Sequence, residues 1–547
     1  MSAASSRAAG VGRAPVPGGF VHGEAVVRSG AERVAGSVRT AMVRNGRVRG
    51  ADAAPPPSDA FSDAVAEAWV ACVEDAAPGP LRRWIGDSHQ ATAAVVALAT
   101  GAAAATRDDP AASERTAGAT GRISGPPDTG PLKRELYDPV TGVVTNVFRD
   151  MSSTTTAIAG VEFRYHGQVV TSFGRGTTFE DAERVALLEM LERHAAHDVE
   201  GAVHRAAHPL GDPSYVDPRT LLRFAVPASE TRERVAWDPE DPILWIAGIA
   251  ARTGRRRHVP LQAVELGHVD ESRFLHDSSN GCALGSSLSE ARLFALLELV
   301  ERDAFLVFWH LRLPLRRLGA SGMPPEALAL IDAHGSPTRR VEVFELTVDV
   351  HVPVVLCLVR DESGPVHTYV STAAHLDPTT ALLGAIQEAV VGREIYATNP
   401  TLRDAPFGED DEVVDMFDHV RRAAHARFLP TYDFLDDGPV VPFDEWAAGF
   451  PGPPARATAA DMTRRLVEDL PDPDDVTFVD LTKDASLRHG LHVAKAVVPS
   501  LMSITFGHAH RRPDPERLAT ALARAPHLAD RARAGGGRIH DDPHPFP

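Results

Sequence analysis

At 547 residues the chain is long enough for more than one domain and a large core. Its net charge of −18 argues against a nucleic-acid partner, because phosphate binding needs clustered Lys and Arg. Cys72, Cys282 and Cys357 stand far apart, with no CxxC pair and no zinc spacing, so they read as small buried hydrophobes in a reduced cytoplasm.

Residues 1–58 are rich in Ala, Gly, Arg, Ser and Pro without a sustained apolar period and read as disordered. The N-terminus lacks the compact apolar stretch of a signal peptide. Residues 59–106 read as a small helical segment, with Phe61, Val65, Trp69 and Val70 near one face. Its Ala-rich part is too short and too weakly apolar to span a membrane. A polar Gly/Pro linker fills 107–130. From 131 to 512, strand-like runs alternate with long helical runs. The strand-like runs are Val143–Phe148, Val341–Val348, Pro353–Val359 and His492–Val498. That is α/β or mixed α+β patterning. Residues 513–547 form an Arg/Ala-rich end that closes on alternating prolines.

Two segments match each other: GTTFEDAERVALLEMLER from Gly176 and GSSLSEARLFALLELVER from Gly285. A weaker third copy runs from Ala381 to Arg393 and puts Glu388 in the place of Glu189 and Glu298. In the first copy Glu189, Glu192 and Arg193 are spaced i, i+3, i+4 and share one helix face. Glu298, Glu301 and Arg302 repeat that face in the second. One such helix reads as an intrahelical ion pair; repetition of the same arrangement points to a shared site. Two carboxylates about 4 Å apart repel by roughly 4 kcal/mol at an effective dielectric of 20, so converging glutamates call for a cation. Hard oxygen ligands without thiolate or imidazole suit Mg²⁺, and Mg²⁺ beside arginines suggests a nucleotide phosphate. No GxxxxGK[ST] loop, kinase motif set or GxGxxG after a strand is present, so a nucleotide would bind by another fold.

These blocks resemble the YcaO family. The resemblance rests on GRGTTFEDAERVALLEMLER, on SSNGCALGSSLSEARLFALLELVERDAF from Ser278, and on QEAVVGR in the third copy. DPVTGVV, WIAGIAARTGRRRHVP, FELTVDVHVPVV and VAKAVVPSL support it, and the match covers about 131–512. It implies an internally repeated helix/sheet fold around an ATP site. Glu189, Glu192, Arg193, Asn280, Glu298, Glu301, Arg302, Glu388 and Arg393 would bind ATP and Mg²⁺, with the five glutamates holding the metal. Glu290 and Asp303, beside the second block, read as supports of helix ends. Two positions depart from the family's pattern. Val185 replaces a Ser one turn before the first glutamate, and Val391 replaces a Gln three residues after the last; both remove polar contacts from the expected site.

The last five residues, Pro543-His544-Pro545-Phe546-Pro547, favour an extended polyproline strand. They match the Pro-x-Pro-x-Pro tail of azoline-forming members, and Pro543, Pro545 and Pro547 are expected to help order the active site. An extended tail buries little apolar area, so its removal is expected to spare thermal stability. The resemblance then implies a cyclodehydratase acting on a ribosomal precursor peptide, in the manner of thiazole/oxazole and thiopeptide biosynthesis. A Cys, Ser or Thr side chain attacks the preceding amide carbonyl, the hemi-orthoamide oxygen is phosphorylated from ATP, and loss of phosphate leaves the azoline. It also implies a separate leader-peptide-binding protein. With no flavin motif in the chain, aromatisation would need a separate flavin dehydrogenase. A homodimer is compatible with the sequence. The competing readings are another YcaO reaction, giving a thioamide or amidine, and a degenerate, non-catalytic subunit.

Overall fold

The structure, a computed structural model, describes residues 127–546 apart from 140–141, 154, 166–167, 198, 200–202, 210, 223–236, 268–273, 277, 401–406, 409–410, 455, 512 and 535–537. The expected disordered and helical segments at 1–106, most of the linker, and Pro547 lie outside the described residues. The described chain divides into two compact units, one over 128–150 and 157–190, the other over 151–156 and 191–546.

In the first unit a short helix α1 (Gly130–Leu136) precedes an antiparallel sheet of β1 (Val144–Asp150), β2 (Ala157–Tyr165) and β3 (Gln168–Gly176), in that spatial order. Helix α2 (Phe179–His197) follows, and its residues from Leu191 on belong to the second unit. Ala182, Ala186, Leu187 and Met190 of α2 are fully buried, as are Ile158, Val161 and Phe163 of β2. Alternation thus gives the sheet one apolar face and the 3.6-residue period gives the helix its apolar stripe.

The second unit opens with β4 (Val203–Ala206), β5 (Ile243–Ala250), β6 (Arg256–Pro260) and β7 (Cys282–Gly285), then helix α3 (Leu288–Leu311). Next come β8 (Arg317–Gly319), α4 (Pro325–His334), β9 (Arg339–Glu345), β10 (Val354–Asp361), β11 (Thr368–Ala374) and helix α5 (Pro378–Thr398). Helix α6 (Met416–Ala424), β12 (Val440–Pro442), α7 (Ala459–Asp469), β13 (Thr477–Asp480) and β14 (His492–Val497) lead to α8 (Pro515–Arg524) and α9 (Pro526–Ala534). Two sheets result. One has the order β4-β5-β13-β14-β7, with β6 also on β5; the other runs β11-β10-β9-β8-β12. The mixed α/β architecture and all four strand-like runs agree with the sequence.

Every residue of β10 is buried, which explains its unbroken apolar run. Helix α3 is apolar almost all round: Leu293, Phe305, Val307, Phe308 and Trp309 are at most 1% exposed and sit in the main core. Burying each such side chain is worth about 1.5–3 kcal/mol, so the helix is held by packing and its few charges must be there for another reason.

The repeat is a strand–turn–helix unit used three times: β3 into α2, β7 into α3, β11 into α5. Ser172 Oγ donates to the Ala186 carbonyl at 2.9 Å, and Ser371 Oγ donates to the Ala385 carbonyl at 2.6 Å with the same sequence separation. Gly176 and Gly285 mark the turn in the first two copies. A Cβ would lie 2.5 Å from the Asp181 Cβ at Gly176, and 2.5 Å from the Ala291 nitrogen at Gly285. Only a glycine lets the strand end approach the helix start so closely.

Candidate active site

Helix α3 carries the densest group of charges. Its first turn is fixed by Ser287, whose side chain accepts from the Glu290 nitrogen at 3.1 Å, and by Glu290, which accepts from Ser286 Oγ at 2.6 Å. Two turns on, Glu298 Oε2 accepts from the Gly281 nitrogen at 3.0 Å, and Arg302 lies 3.7 Å from Glu298 and 3.3 Å from Glu301. Gly281 has φ of 77°, the left-handed conformation in which glycine is favoured, and that turn aims its N–H at Glu298. Glu301 is held from the neighbouring sheet: Thr372 Oγ1 donates to Oε1 at 2.8 Å and the Ala374 nitrogen donates to Oε2 at 3.1 Å. Glu388, on the helix that follows that strand, is close enough to Glu301 and Arg302 to perturb both.

Burial sets the electrostatics. The Glu301 side chain is 13% exposed, and desolvation pushes its pKa up to about 7 against the pull of Arg302, with Glu388 adding repulsion. Burial also raises Glu298, opposed by Arg302 and Lys495. Desolvation works against the charge of Arg302, but Glu301, Glu298 and Glu388 together hold its pKa above the ordinary value. Burial, more than any want of a cationic neighbour, is what raises these carboxyls.

Asn280 is buried, and its Nδ2 donates to the Ile504 carbonyl at 2.9 Å. Lys495, 3% exposed on β14 opposite Cys282, donates to the Ser278 carbonyl at 2.5 Å. It therefore ties down the loop that carries Asn280 and Gly281, and its charge reaches Glu298. Arg193 is near enough to bias both Glu298 and Cys282, and Glu192 adds to the burial that raises the Cys282 thiol. Glu189 stands one turn before Glu192 on the same helix and is half-buried.

Some expected residues are elsewhere. Arg393 bonds elsewhere: its guanidinium donates to Asp361 at 2.6 Å, and burial lowers its pKa, with Arg339 adding repulsion and Asp361 opposing it. Five residues along a helix turn it roughly 140° away from Glu388, which explains the separation. Val391 is fully buried in the core, and Val185 is largely exposed. Asp303 supports no helix end. It lies in the interior of α3, accepts from the Met502 nitrogen at 2.8 Å, and pairs with Arg517, which also holds Asp349.

The C-terminal stretch is a packed element. The Trp309 indole donates to the Asp542 carbonyl at 2.9 Å, His310 bonds the His540 carbonyl at 2.9 Å, and Arg312 pairs with Asp542. Arg312 has φ of 48°, the one non-glycine in the left-handed region among the described residues, and its guanidinium stacks on Trp309 at 4.0 Å. Phe546 is 4% exposed. Its ring lies 4.9 Å from Phe305 and carries the Arg302 guanidinium at 4.2 Å. The tail thus buries a large aromatic side chain in the main core, contrary to the expectation that it buries little. Thr372, Ala374, Lys495 and Phe546 were not singled out from sequence. A lysine inside the apolar run HVAKAVV was the one legible signal among them.

The fit to a nucleotide with Mg²⁺ can be tested on these side chains. Among the described residues no three carboxylate, imidazole or thiol groups are gathered as a metal site. Mg²⁺ needs only one or two protein carboxylates, because water and phosphate oxygens complete its shell. The oxygen-only donors, the raised Glu301 and the flanking Arg302 and Lys495 fit such a complex.

Residues 173–502, more than half of the chain, match the family described as YcaO cyclodehydratase, ATP- and Mg²⁺-binding. An uncharacterised protein of Methanothermobacter thermautotrophicus is 26% identical over 369 residues, covering 65% of this chain and 86% of that protein. Among solved structures, a heterocyclase in complex with substrate and cofactor superposes with a TM-score of 0.60 at 21% identity, over 78% of this chain and 58% of that one. The chain therefore spans less than two thirds of that heterocyclase. YcaO from Methanopyrus kandleri, bound with AMPPCP and Mg²⁺, gives a TM-score of 0.50 at 22% identity over 68% of this chain and 90% of that one. Both likenesses are of fold. The repeated strand–turn–helix units, their carboxylate-bearing helices and the match over 173–502 make this chain a member of the YcaO family, whose cofactors are ATP and Mg²⁺.

Proposed function

We propose that the protein is an ATP-dependent cyclodehydratase that converts Cys, Ser or Thr of a ribosomal precursor peptide to a thiazoline or oxazoline. The observation that supports this reading is Phe546 of the tail seated on Arg302, the arginine that also lies against Glu298 and Glu301. The fold likeness to a heterocyclase solved with substrate and cofactor supports the reaction class. When bound, MgATP supplies the phosphoryl group that makes the hemi-orthoamide oxygen a leaving group.

The chain's own residues then divide the work. Glu298, Glu301 and Glu388 offer oxygens to the cation, with Glu189 and Glu192 as further candidates on α2. Arg302, Arg193 and Lys495 set positive charge around the phosphates, and Asn280 is positioned by its bond to Ile504. The fixed φ of Pro543, Pro545 and Pro547 would favour an extended tail, so that little entropy is lost on seating it. Arg393 acts through Asp361, away from the cation. We assign 131–512 to the catalytic body and 513–547 to the segment that completes it. Leader recognition and any flavin-dependent aromatisation fall to separate proteins.

The test is incubation with precursor, leader-binding partner, ATP and Mg²⁺, read by mass spectrometry. Loss of one water per modified residue is the expected result. Exchange of oxygen for sulfur would mean a thioamide and would overturn the azoline reading. No ATP turnover would favour a non-catalytic subunit.

A further inference from the structure

Helix α6 sits beside the tail and contributes one fully enclosed imidazole, His419, which is 2% exposed. Its Nε2 faces the Gly507 nitrogen at 3.1 Å. A backbone N–H can only donate, so this ring nitrogen must be bare. The proton then sits on Nδ1, which faces the His544 carbonyl at 2.6 Å and donates to it. The His544 ring stacks on His419 with centroids 4.0 Å apart and planes 13° apart. Its Nε2 lies 3.0 Å from the Thr505 carbonyl, which can only accept, so the tautomer of His544 is fixed as well. Burial lowers both rings, His419 to about 4 and His544 well below its ordinary value, so both are neutral at physiological pH.

The partners form a chain of contacts. Thr505 follows Ile504 directly, and Ile504 is the carbonyl that positions Asn280. One loop, 504–507, therefore touches Asn280 at its start, the tail at Thr505 and His419 at Gly507. We propose that His419 is a positioning residue, a neutral clamp that seats the C-terminal segment against α3 and fixes its register to the loop contacting Asn280. This rests on the reading of that segment as part of the active site.

Two variants separate the clamp from simple packing. His419→Phe keeps an aromatic ring for the stack and removes both hydrogen bonds. His419→Asn keeps a donor where Nδ1 stands. Hydrogen exchange, followed by mass spectrometry on the whole chain, should show faster exchange over 540–546 in His419→Phe, with α3 and β10 unchanged. Azoline formation should fall at least roughly tenfold in kcat, the loss expected for about 1.4 kcal/mol of misplaced hydrogen bonding. His419→Asn should recover most of the tail protection and of the rate. Combining His419→Phe with deletion of 543–547 should cost no more than the deletion alone. Unchanged exchange in the tail, wild-type turnover, or additive losses in the double variant would each overturn the clamp. Glu301→Gln serves as the control: if it retains turnover, the active-site reading itself fails, whatever His419 does.

Discussion

Replacing Glu301 by Gln should stabilise the fold while abolishing turnover. Glu301 carries a pKa of about 7 where 4.5 is ordinary, and at about 1.4 kcal/mol per unit its ionised form costs the free protein about 3 kcal/mol. The amide can keep the local bonds, since its oxygen can accept from the Ala374 nitrogen and its NH₂ can donate to Thr372 Oγ1, a hydroxyl that works in either direction. The sign follows from linkage. Between about pH 4.5 and 7 the folded protein holds a proton on Glu301 that the unfolded chain has released, so the wild type loses stability as pH rises through that window. The variant has no such loss. Its melting temperature should equal the wild type's at pH 4.5, draw ahead up to about pH 7, and stay several degrees ahead at pH 8. MgATP should raise the melting point of the wild type at pH 8 and leave the variant's little changed, because the same carboxylate that weakens the fold is the one expected to meet the cation. Thermal melts at four pH values, with and without MgATP, make the measurement. A variant no more stable than wild type at pH 8 would refute the burial argument, and retained turnover would refute the site.

Lys495→Met should raise the KM for ATP about tenfold or more with a smaller effect on melting, because it frees the Ser278 loop and removes charge from Glu298; steady-state kinetics with ATP varied checks it. Deleting 543–547 should cut azoline formation strongly, to a residual rate that can still be measured, and also lower the melting temperature, since the buried Phe546 alone contributes about 2–3 kcal/mol; a melt indistinguishable from wild type would contradict the packing seen at Phe305. Asp303→Asn should destabilise by about 3 kcal/mol in chemical denaturation, because it removes one of the two carboxylate charges that neutralise the buried Arg517 guanidinium.

The carboxylate face was legible because helical geometry is local. Glu298, Glu301 and Arg302 share a face by spacing alone, and a repeated block announces a repeated unit. The strands were legible for a similar reason: a run such as PVVLCLV is short for a helix and rich in β-branched residues, which favours a buried strand. What could not be read are contacts between elements distant in sequence. Nothing local links Thr372 to Glu301, Lys495 to Ser278, or His544 to His419. The bond of Arg393 to Asp361 could not be read either, because block resemblance carries a residue over by position, whereas its partner depends on helix phase and on an element distant in sequence. Asp303 misled for a related reason. Its neighbours in sequence are charged, but its partner comes from α8, more than two hundred residues later.

The three copies of the strand–turn–helix unit explain why so much charge can be kept under cover. In each copy a short strand delivers the chain to the start of a helix, and the carboxylates come about three turns into it, at the same distance from the turn. A single copy could bury one or two glutamates only by pairing them within the helix. Here the strand of one unit serves the helix of another: Thr372 and Ala374 of β11 hold Glu301 of α3, while the helix after β11 brings Glu388 toward the same place. Hydrogen bonds thus fix Glu301 in position without neutralising it, and Arg302 is divided among three glutamates rather than satisfied by one. Carboxylates gathered in a desolvated setting would gain from a divalent cation, which is the role proposed for them above. The tail adds to this from another direction. Phe546 covers the guanidinium of Arg302 and limits the solvent that would otherwise weaken every one of these interactions, so losing the tail should weaken cation binding as well as catalysis.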